Sequence, residues 1–305
     1  MEIVVIGTAF IDVKGFPDGV YVPGSCNAGK VEYMHGGVAR NIAEDAVRLG
    51  LKTTYLGLVD PSSAGSAVAE HLRAEGVSTE YVLARPDGMG AWMAVFDENG
   101  ELAASVSKRP DMRPLAGILD DRGDEIFSTA DSAIIEADLP REVVEKTAAL
   151  AEKYHVPLFA AISDMAAAAT QRDLLRRFNC LICNRTEAGI LFNNDFTQLG
   201  KDELISSFSR EIRTAGIPAM VVTLGADGAV YVSQAGEGGY CPARPVKAVD
   251  ATGAGDAFCA GVAAALACRR SLREAVELGN YLASCVVTSF SNVCPRMDPR
   301  DLGLV

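Results

Sequence analysis

The sequence predicts an α/β fold, with a doubly wound, mostly parallel sheet, helices on both faces and a small β-sheet lid. Two observations carry this. Apolar runs of strand length alternate with helical patterns through most of the 305 residues, and that alternation is the mark of βαβ units. Two segments, 13–35 and 81–108, break the rhythm with alternating, turn-punctuated runs. The clearest is Trp92-Met93-Ala94-Val95-Phe96, followed by the turn Asp97-Glu98-Asn99-Gly100.

Strands are expected at 3–7, 53–59, 132–137, 156–161, 179–183 and 219–224. Each is a short apolar run of the kind that strands buried on both faces require, as in Ile3-Val4-Val5-Ile6. Helices are expected at 38–50, 63–76, 140–154, 170–178, 201–215, 255–269 and 272–290. The two strand-like insertions are expected to pair into one antiparallel sheet over the carboxyl ends of the main strands, where open α/β sheets bind ligands. The predicted core is therefore 1–12, 36–80 and 109–305, and the lid is 13–35 with 81–108. A lid in that place excludes water from the site beneath it.

Composition removes several function classes. The net charge is 28 − 40 = −12, and the densest basic pairs are only Arg176-Arg177 and Arg269-Arg270. A nucleic-acid polymer is not an expected partner, because phosphate-backbone binders cluster Lys and Arg. No basic leader precedes the first strand, and no apolar window reaches the length of a membrane span. The protein is expected in the cytoplasm. Eight cysteines lie singly, mostly in apolar stretches, and read as small buried hydrophobes rather than a disulfide framework. Cys180 and Cys183 enclose Leu181-Ile182, a buried-strand pair, so a metal or redox role is not expected. Three histidines lack metal-ligand spacing.

The most informative stretch is Asp250-Ala251-Thr252-Gly253-Ala254-Gly255-Asp256, with an apolar small-residue helix behind it. Its glycines allow a tight turn that gathers N–H groups at a helix N-terminus, a natural anion site. Asp256 inside an anion site is electrostatically costly unless it acts as a base on a hydroxyl. The seven residues alone fit equally a Gly-rich turn with Asp256 as a first-turn cap. Gly36-Gly37-Val38-Ala39-Arg40-Asn41 likewise opens a helix, and its N–H groups and carboxamide suit polyol hydroxyls or, equally, an ordinary loop-to-helix turn. Asp12 follows the first strand as a carboxylate or a turn residue. Asn184 and Glu187, three apart at a helix start, suit Mg2+ and phosphate or a helix cap. Thr223, Gly225 and Gly228 follow another strand, as a phosphate cradle or a hairpin to 229–232. Gly24-Ser25-Cys26-Asn27-Ala28-Gly29-Lys30 matches a P-loop spacing but has Val31 in the metal-binding position and no flanking strand and helix, which excludes it.

In this order and spacing, these motifs resemble the PfkB/ribokinase family of sugar and nucleoside kinases over nearly the whole chain. The resemblance implies transfer of the γ-phosphoryl group of ATP, with Asp256 as general base and the N–H groups of Gly253, Ala254 and Gly255 as the anion hole. It implies Asp12, Gly36, Gly37, Asn41 and Asp138 as substrate contacts. Asn184 and Glu187 would organise Mg2+ through water, and Thr223, Gly225, Gly228 and Asn280 would flank ATP. Asp250 and Thr252, with carbonyls near Val286, Ser289 and Ser291, match a loop for a monovalent cation such as K+. Phe10 stands where ribokinases usually carry Asn, and Val38-Ala39 where they prefer Lys-Gly. Phe10 thus removes one hydroxyl contact and offers a stacking face. The stretches 7–15, 28–43 and 236–255 look most like the pseudouridine kinase branch, whose acceptor is the nucleoside 5′-hydroxyl, and Asp111 fits that branch on the lid side of the pocket. Ribose and other nucleosides or sugars share the remaining pattern. So does a catalytically silent binding or regulatory protein on the same fold. Exposed lid edges make a homodimer through the lid an expectation.

Overall fold

The computed structural model describes residues 1–304. In chain order the strands are β1 (Glu2–Gly7), β2 (Phe10–Pro17), β3 (Gly29–Gly36), β4 (Lys52–Val59), β5 (Ser78–Ala84), β6 (Gly90–Phe96), β7 (Leu102–Lys108), β8 (Ser132–Glu136), β9 (Leu158–Ala161), β10 (Cys180–Asn184), β11 (Ala219–Thr223), β12 (Ala229–Ser233) and β13 (Gly238–Cys241). The helices are α1 (Val38–Arg48), α2 (Ser63–Glu75), α3 (Leu115–Ser128), α4 (Arg141–Tyr154), α5 (Met165–Ala168), α6 (Arg172–Leu175), α7 (Arg185–Phe192), α8 (Lys201–Ala215), α9 (Ala254–Ala267) and α10 (Leu272–Val287).

Nine strands form one sheet in the order β13-β12-β11-β10-β9-β8-β1-β4-β5, parallel except where β12 and β13 run antiparallel at one edge. Successive strand residues face opposite sides, so each apolar run supplies two cores. Ile6, Leu56, Ile135, Leu181 and Val222 pack with Leu119, Val144 and Phe208 of α3, α4 and α8. Their neighbours Val5, Tyr55, Ile134, Ile182 and Val221 pack with Ile42, Leu72, Val262 and Leu282 of α1, α2, α9 and α10. Cys180 and Cys183 fall into these two different cores and are both free. Among the described residues no helix is long and apolar enough to cross a membrane.

The second sheet has four strands, β3-β2-β6-β7. Its central pair, β2 with β6, is parallel rather than antiparallel. β2 follows β1 and β6 follows β4 and β5, all parallel neighbours of the large sheet, so both chains leave its carboxyl edge in the same sense. Two boundaries differ from those read in the sequence. Residues 10–12 already belong to β2, and 81–84 belong to β5, which pairs with β4 in the large sheet.

The helix expected at 170–178 is broken. Gln171, buried at a short 3-10 turn between α5 and α6, donates to the Ala137 and Leu139 carbonyls at 2.7 and 3.0 Å. α3 carries two glycines that weaken its helical pattern. Gly123 lies against α4, where a Cβ would stand 2.4 Å from Leu150 Cδ1 and push that side chain aside.

At the end of β8, buried Glu136 joins three segments. Its Oε1 accepts from the Thr8 N–H at 2.7 Å and from the Ala39 N–H, in the first turn of α1, at 3.0 Å. Burial pushes its carboxyl up to about 7. A β-carbon on Gly7 would lie 2.4 Å from the same oxygen, so the turn after β1 closes directly on this carboxyl. Replacing Glu136 with Ala strands two buried N–H groups. We expect urea denaturation of Glu136→Ala to show a loss of about 2–4 kcal/mol, and an unchanged midpoint would refute this anchoring role.

Candidate active site

The N-termini of α1 and α9, more than 200 residues apart in sequence, meet above the carboxyl ends of the parallel strands. At α1, Gly37 adopts φ 98°, and a Cβ there would lie 2.6 Å from the Thr8 carbonyl oxygen. Only glycine turns the chain so closely past the end of β1. Asn41 follows in the first turn and donates from Nδ2 to Asp256 Oδ2 at 2.6 Å. Its amide is oriented from behind. Asn41 Oδ1 accepts from the Arg40 guanidinium and from Asn292 Nδ2 at 3.3 Å, so the NH2 must face Asp256. Arg40 is 1% exposed and also bonds Glu44 at 2.6 Å and the His35 carbonyl.

At α9, Gly253 is the N-cap with φ 81°, and a Cβ would lie 1.9 Å from the Asn292 carbonyl oxygen. Gly255 has open space where its Cβ would stand, so its small size leaves the helix end bare. Among the described residues no backbone acceptor takes the N–H groups of Gly253 and Gly255, whereas that of Ala254 donates to the Ala251 carbonyl at 3.2 Å. Two of the three N–H groups expected in the anion hole are therefore free, and Ala254 is engaged in its own turn.

Burial pushes the Asp256 carboxyl up to about 6, with the charges of Asp12 and Glu187 acting in the same sense and Asn41 and Arg40 opposing. Asp12, on β2 of the small sheet, is also pushed up to about 6 by burial, against the pull of Arg40 and Lys14. Its carboxylate lies against Gly36, where a Cβ would come within 2.3 Å. Asp12, Asn41 and Asp256 thus share one pocket of mixed charge under the small sheet.

Beside the α9 N-terminus lies a cavity of about 410 Å³ lined by Thr223, Gly225, Gly228, Val246, Phe258 and Asn280, among others. The segment at 223–228 turns β11 into β12 and at the same time lines this cavity. Gly228, at φ 97°, would place a Cβ 2.1 Å from the Cys241 carbonyl oxygen. Asn280 Nδ2 fixes the facing wall by donating to the Cys241 and Pro242 carbonyls at 3.3 and 3.2 Å. Asn184 and Glu187 form a reciprocal capping box on α7. Glu187 Oε2 accepts from the Asn184 N–H at 2.7 Å. Oε1 has no protein partner among the described residues. The Glu187 carboxyl is raised by burial and by the charge of Asp138. Glu187, with one carboxylate oxygen left over from the cap, is the acidic group here that could hold a divalent cation through its waters.

Other expected contacts lie elsewhere. Asp138 accepts from the Ser163 N–H and hydroxyl at 3.0 and 2.7 Å and from Arg109 at 3.2 Å, so its carboxylate is committed to protein groups. Asp111 pairs with Arg113 across a local turn at 2.7 Å, which pulls its carboxyl down to about 2. At the loop matched to a monovalent cation, Asp250 Oδ2 and Thr252 Oγ1 each lie 3.0 Å from Lys14 Nζ. The Val286 carbonyl accepts from the Ser289 hydroxyl at 3.2 Å, and the Ser291 carbonyl lies 3.3 Å from that hydroxyl. Lys14, Arg40, Arg109 and Asn292 were not singled out in the sequence. Only Lys14 had an accessible signal, since its i+2 spacing from Asp12 puts both on one strand face.

A family model described as pfkB family carbohydrate kinase matches residues 1–295. A guanosine-inosine kinase of Exiguobacterium acetylicum is 33% identical over 97% of this chain and 98% of its own. A pseudouridine kinase of Escherichia coli is 25% identical over 94% and 92%. The solved structure of Arabidopsis thaliana ribokinase, complexed with ribose and ATP, shares the fold with TM-score 0.86 at 22% identity, covering 98% and 97% of the two chains. The chain belongs to the pfkB family of carbohydrate kinases.

A carboxyl raised on folding weakens the fold once pH exceeds its unfolded value, and for Asp256 that penalty is complete above about 6. Asp256→Asn removes it. The variant is expected to be more stable than the parent at pH 8 by about 1–2 kcal/mol, with the gain vanishing near pH 4. A variant less stable at pH 8 contradicts the raised pKa.

Proposed function

We propose that this pfkB-family kinase transfers the γ-phosphoryl group of ATP to the 5′-hydroxyl of a nucleoside, with Asp256 as general base. The observation that carries the reading is the Asn41–Asp256 hydrogen bond of 2.6 Å beside the bare N-terminus of α9. A base held at an anion site is useful when the same point must receive a phosphoryl group and release a hydroxyl proton. Asn41 orients the carboxylate, and the raised pKa brings Asp256 nearer to a base matched to neutral pH. The free N–H groups of Gly253 and Gly255 face the transferring oxygens without reorganising. The cavity lined by Thr223, Gly225, Gly228 and Asn280 is assigned to ATP. Glu187 Oε1 would hold the waters of Mg2+, which supplies neutralisation of the developing charge. Asp12 and Asn41 would hold the ribose hydroxyls.

For the acceptor, the 33% relative favours a purine nucleoside over pseudouridine, whose kinase stands at 25%. Phe10 supports an aromatic base. Its ring lies over Gly90, where a Cβ would come within 2.4 Å of ring atoms, and Trp92 is the strand partner of Asp12 on the same face. The small sheet's outer face exposes Val31, Tyr33, Met93 and Val106, which supports a homodimer through that sheet.

Three measurements follow from this reading. In ATP-consumption assays, guanosine and inosine should give kcat/KM at least about tenfold above pseudouridine, uridine, adenosine, ribose and fructose 6-phosphate, the scale of a few pocket contacts. A preference for pseudouridine reverses the substrate order, and no turnover at all favours a binding protein. Asp256→Asn should lower kcat by about 10²-fold or more while ATP binding survives, and near-normal turnover removes the base assignment. The acid limb of kcat/KM should fall as pH drops through about 6, where Asp256 takes up its proton. A profile flat from pH 7 to pH 5 contradicts it.

A further inference from the structure

Lys14 lies on β2, two residues after Asp12 and on the same face. It is 2% exposed, and its ammonium reaches out of the small sheet to the large domain. Nζ lies 3.0 Å from Asp250 Oδ2 and 3.0 Å from Thr252 Oγ1. The other Asp250 oxygen accepts from the Thr252 N–H at 2.8 Å. One residue further is Gly253, the N-cap of α9, whose conformation is fixed by its approach to Asn292. The ammonium therefore braces the segment that presents the free N–H groups, and it does so from a strand of the other sheet.

The charge matters as much as the geometry. Asp250 stands only three residues before Gly253, and an unpaired carboxylate there would repel an incoming triphosphate. A buried ammonium at hydrogen-bond distance cancels that field more effectively than a screened surface charge. It also engages the side chains of Asp250 and Thr252, the two residues that match the monovalent-cation loop. The carbonyls of Val286 and Ser291 meanwhile surround the Ser289 hydroxyl. The side-chain part of that cation loop is thus occupied by the protein's own cation.

We propose that Lys14 is a positioning residue for phosphoryl transfer: its ammonium serves as the built-in cation of the anion-hole loop and makes seating of the small sheet part of assembling that loop. Two consequences separate this from a simple staple between sheets. The parent protein needs no added monovalent cation, and removing the ammonium creates a need for one. The inference rests on the kinase reading above, and the experiment distinguishes their failures.

The test is steady-state kinetics with ATP and guanosine in potassium chloride or in tetramethylammonium chloride at equal ionic strength. The proteins compared are the parent, Lys14→Ala and the double variant Lys14→Met with Asp250→Asn. The parent is expected to change by less than about twofold between the salts. Lys14→Ala should lose about tenfold or more in kcat in tetramethylammonium, with guanosine KM little changed, and recover most of it in potassium or ammonium chloride. The double variant keeps no unpaired buried charge, so it should fold even if Lys14→Ala does not, and its kcat should stay low. Calorimetric titration with a non-hydrolysable ATP analogue supplies a readout apart from turnover: the analogue should bind Lys14→Ala more weakly in tetramethylammonium than in potassium. A parent that requires potassium, a Lys14→Ala variant with parental kcat, a loss that no cation repairs, equal analogue binding in both salts, or a double variant restored to parental kcat each overturns the proposal. A parent that phosphorylates no nucleoside in either salt refutes the kinase reading instead.

Discussion

The site depends on one contact, the hydrogen bond from Asn41 to Asp256 where the first turns of α1 and α9 meet. Each helix brings what the other lacks. α9 supplies unpaired N–H groups and a carboxylate whose charge is unfavourable where it stands, and α1 supplies a carboxamide that holds the carboxylate in place. The helices are set by glycines that admit no side chain, Gly37 against the Thr8 carbonyl and Gly253 against that of Asn292. Behind the contact, Arg40 and Asn292 fix the amide and Glu136 fixes the start of α1. Such layered support is what keeps a reactive geometry from relaxing into solvent.

The central strands of the large sheet were legible because they are buried on both faces and therefore continuously apolar, a pattern that local sequence states openly. Elements whose reasons are tertiary were not. α3 carries Gly123 where Leu150 of α4 packs against it, and a glycine reads locally as a helix breaker. The 170–178 segment breaks because Gln171 satisfies two carbonyls at the exit of β8, a long-range demand with no periodic signature. Residues 81–84 read as part of the insertion, because the place of β5 is set by pairing with β4.

In the site, the motif residues were visible as residue types but their partners were not. Asp138 reads as a free carboxylate until Arg109 and Ser163 are placed against it. Asp111 is tied to Arg113 in the same way. Lys14 lies on the inner strand β2 and Arg109 directly follows β7, and both make ion pairs with the large domain. The sheet is thus held over the site by charges at two points, rather than by an apolar seam alone. The Arg109 pairs are half exposed and contribute little net stability, which suits a cover that must open, whereas Lys14 is buried at its pair with Asp250.

The central claim is that Asp256 faces the accepting hydroxyl at the α9 N-terminus. A crystal structure with guanosine, ADP, Mg2+ and aluminium fluoride tests it most directly. The nucleoside 5′-oxygen is expected within about 3 Å of an Asp256 carboxylate oxygen, with the fluoroaluminate against the N–H groups of Gly253 and Gly255. A nucleoside whose hydroxyls all lie beyond hydrogen-bond reach of Asp256, with the fluoroaluminate still in place, would contradict it.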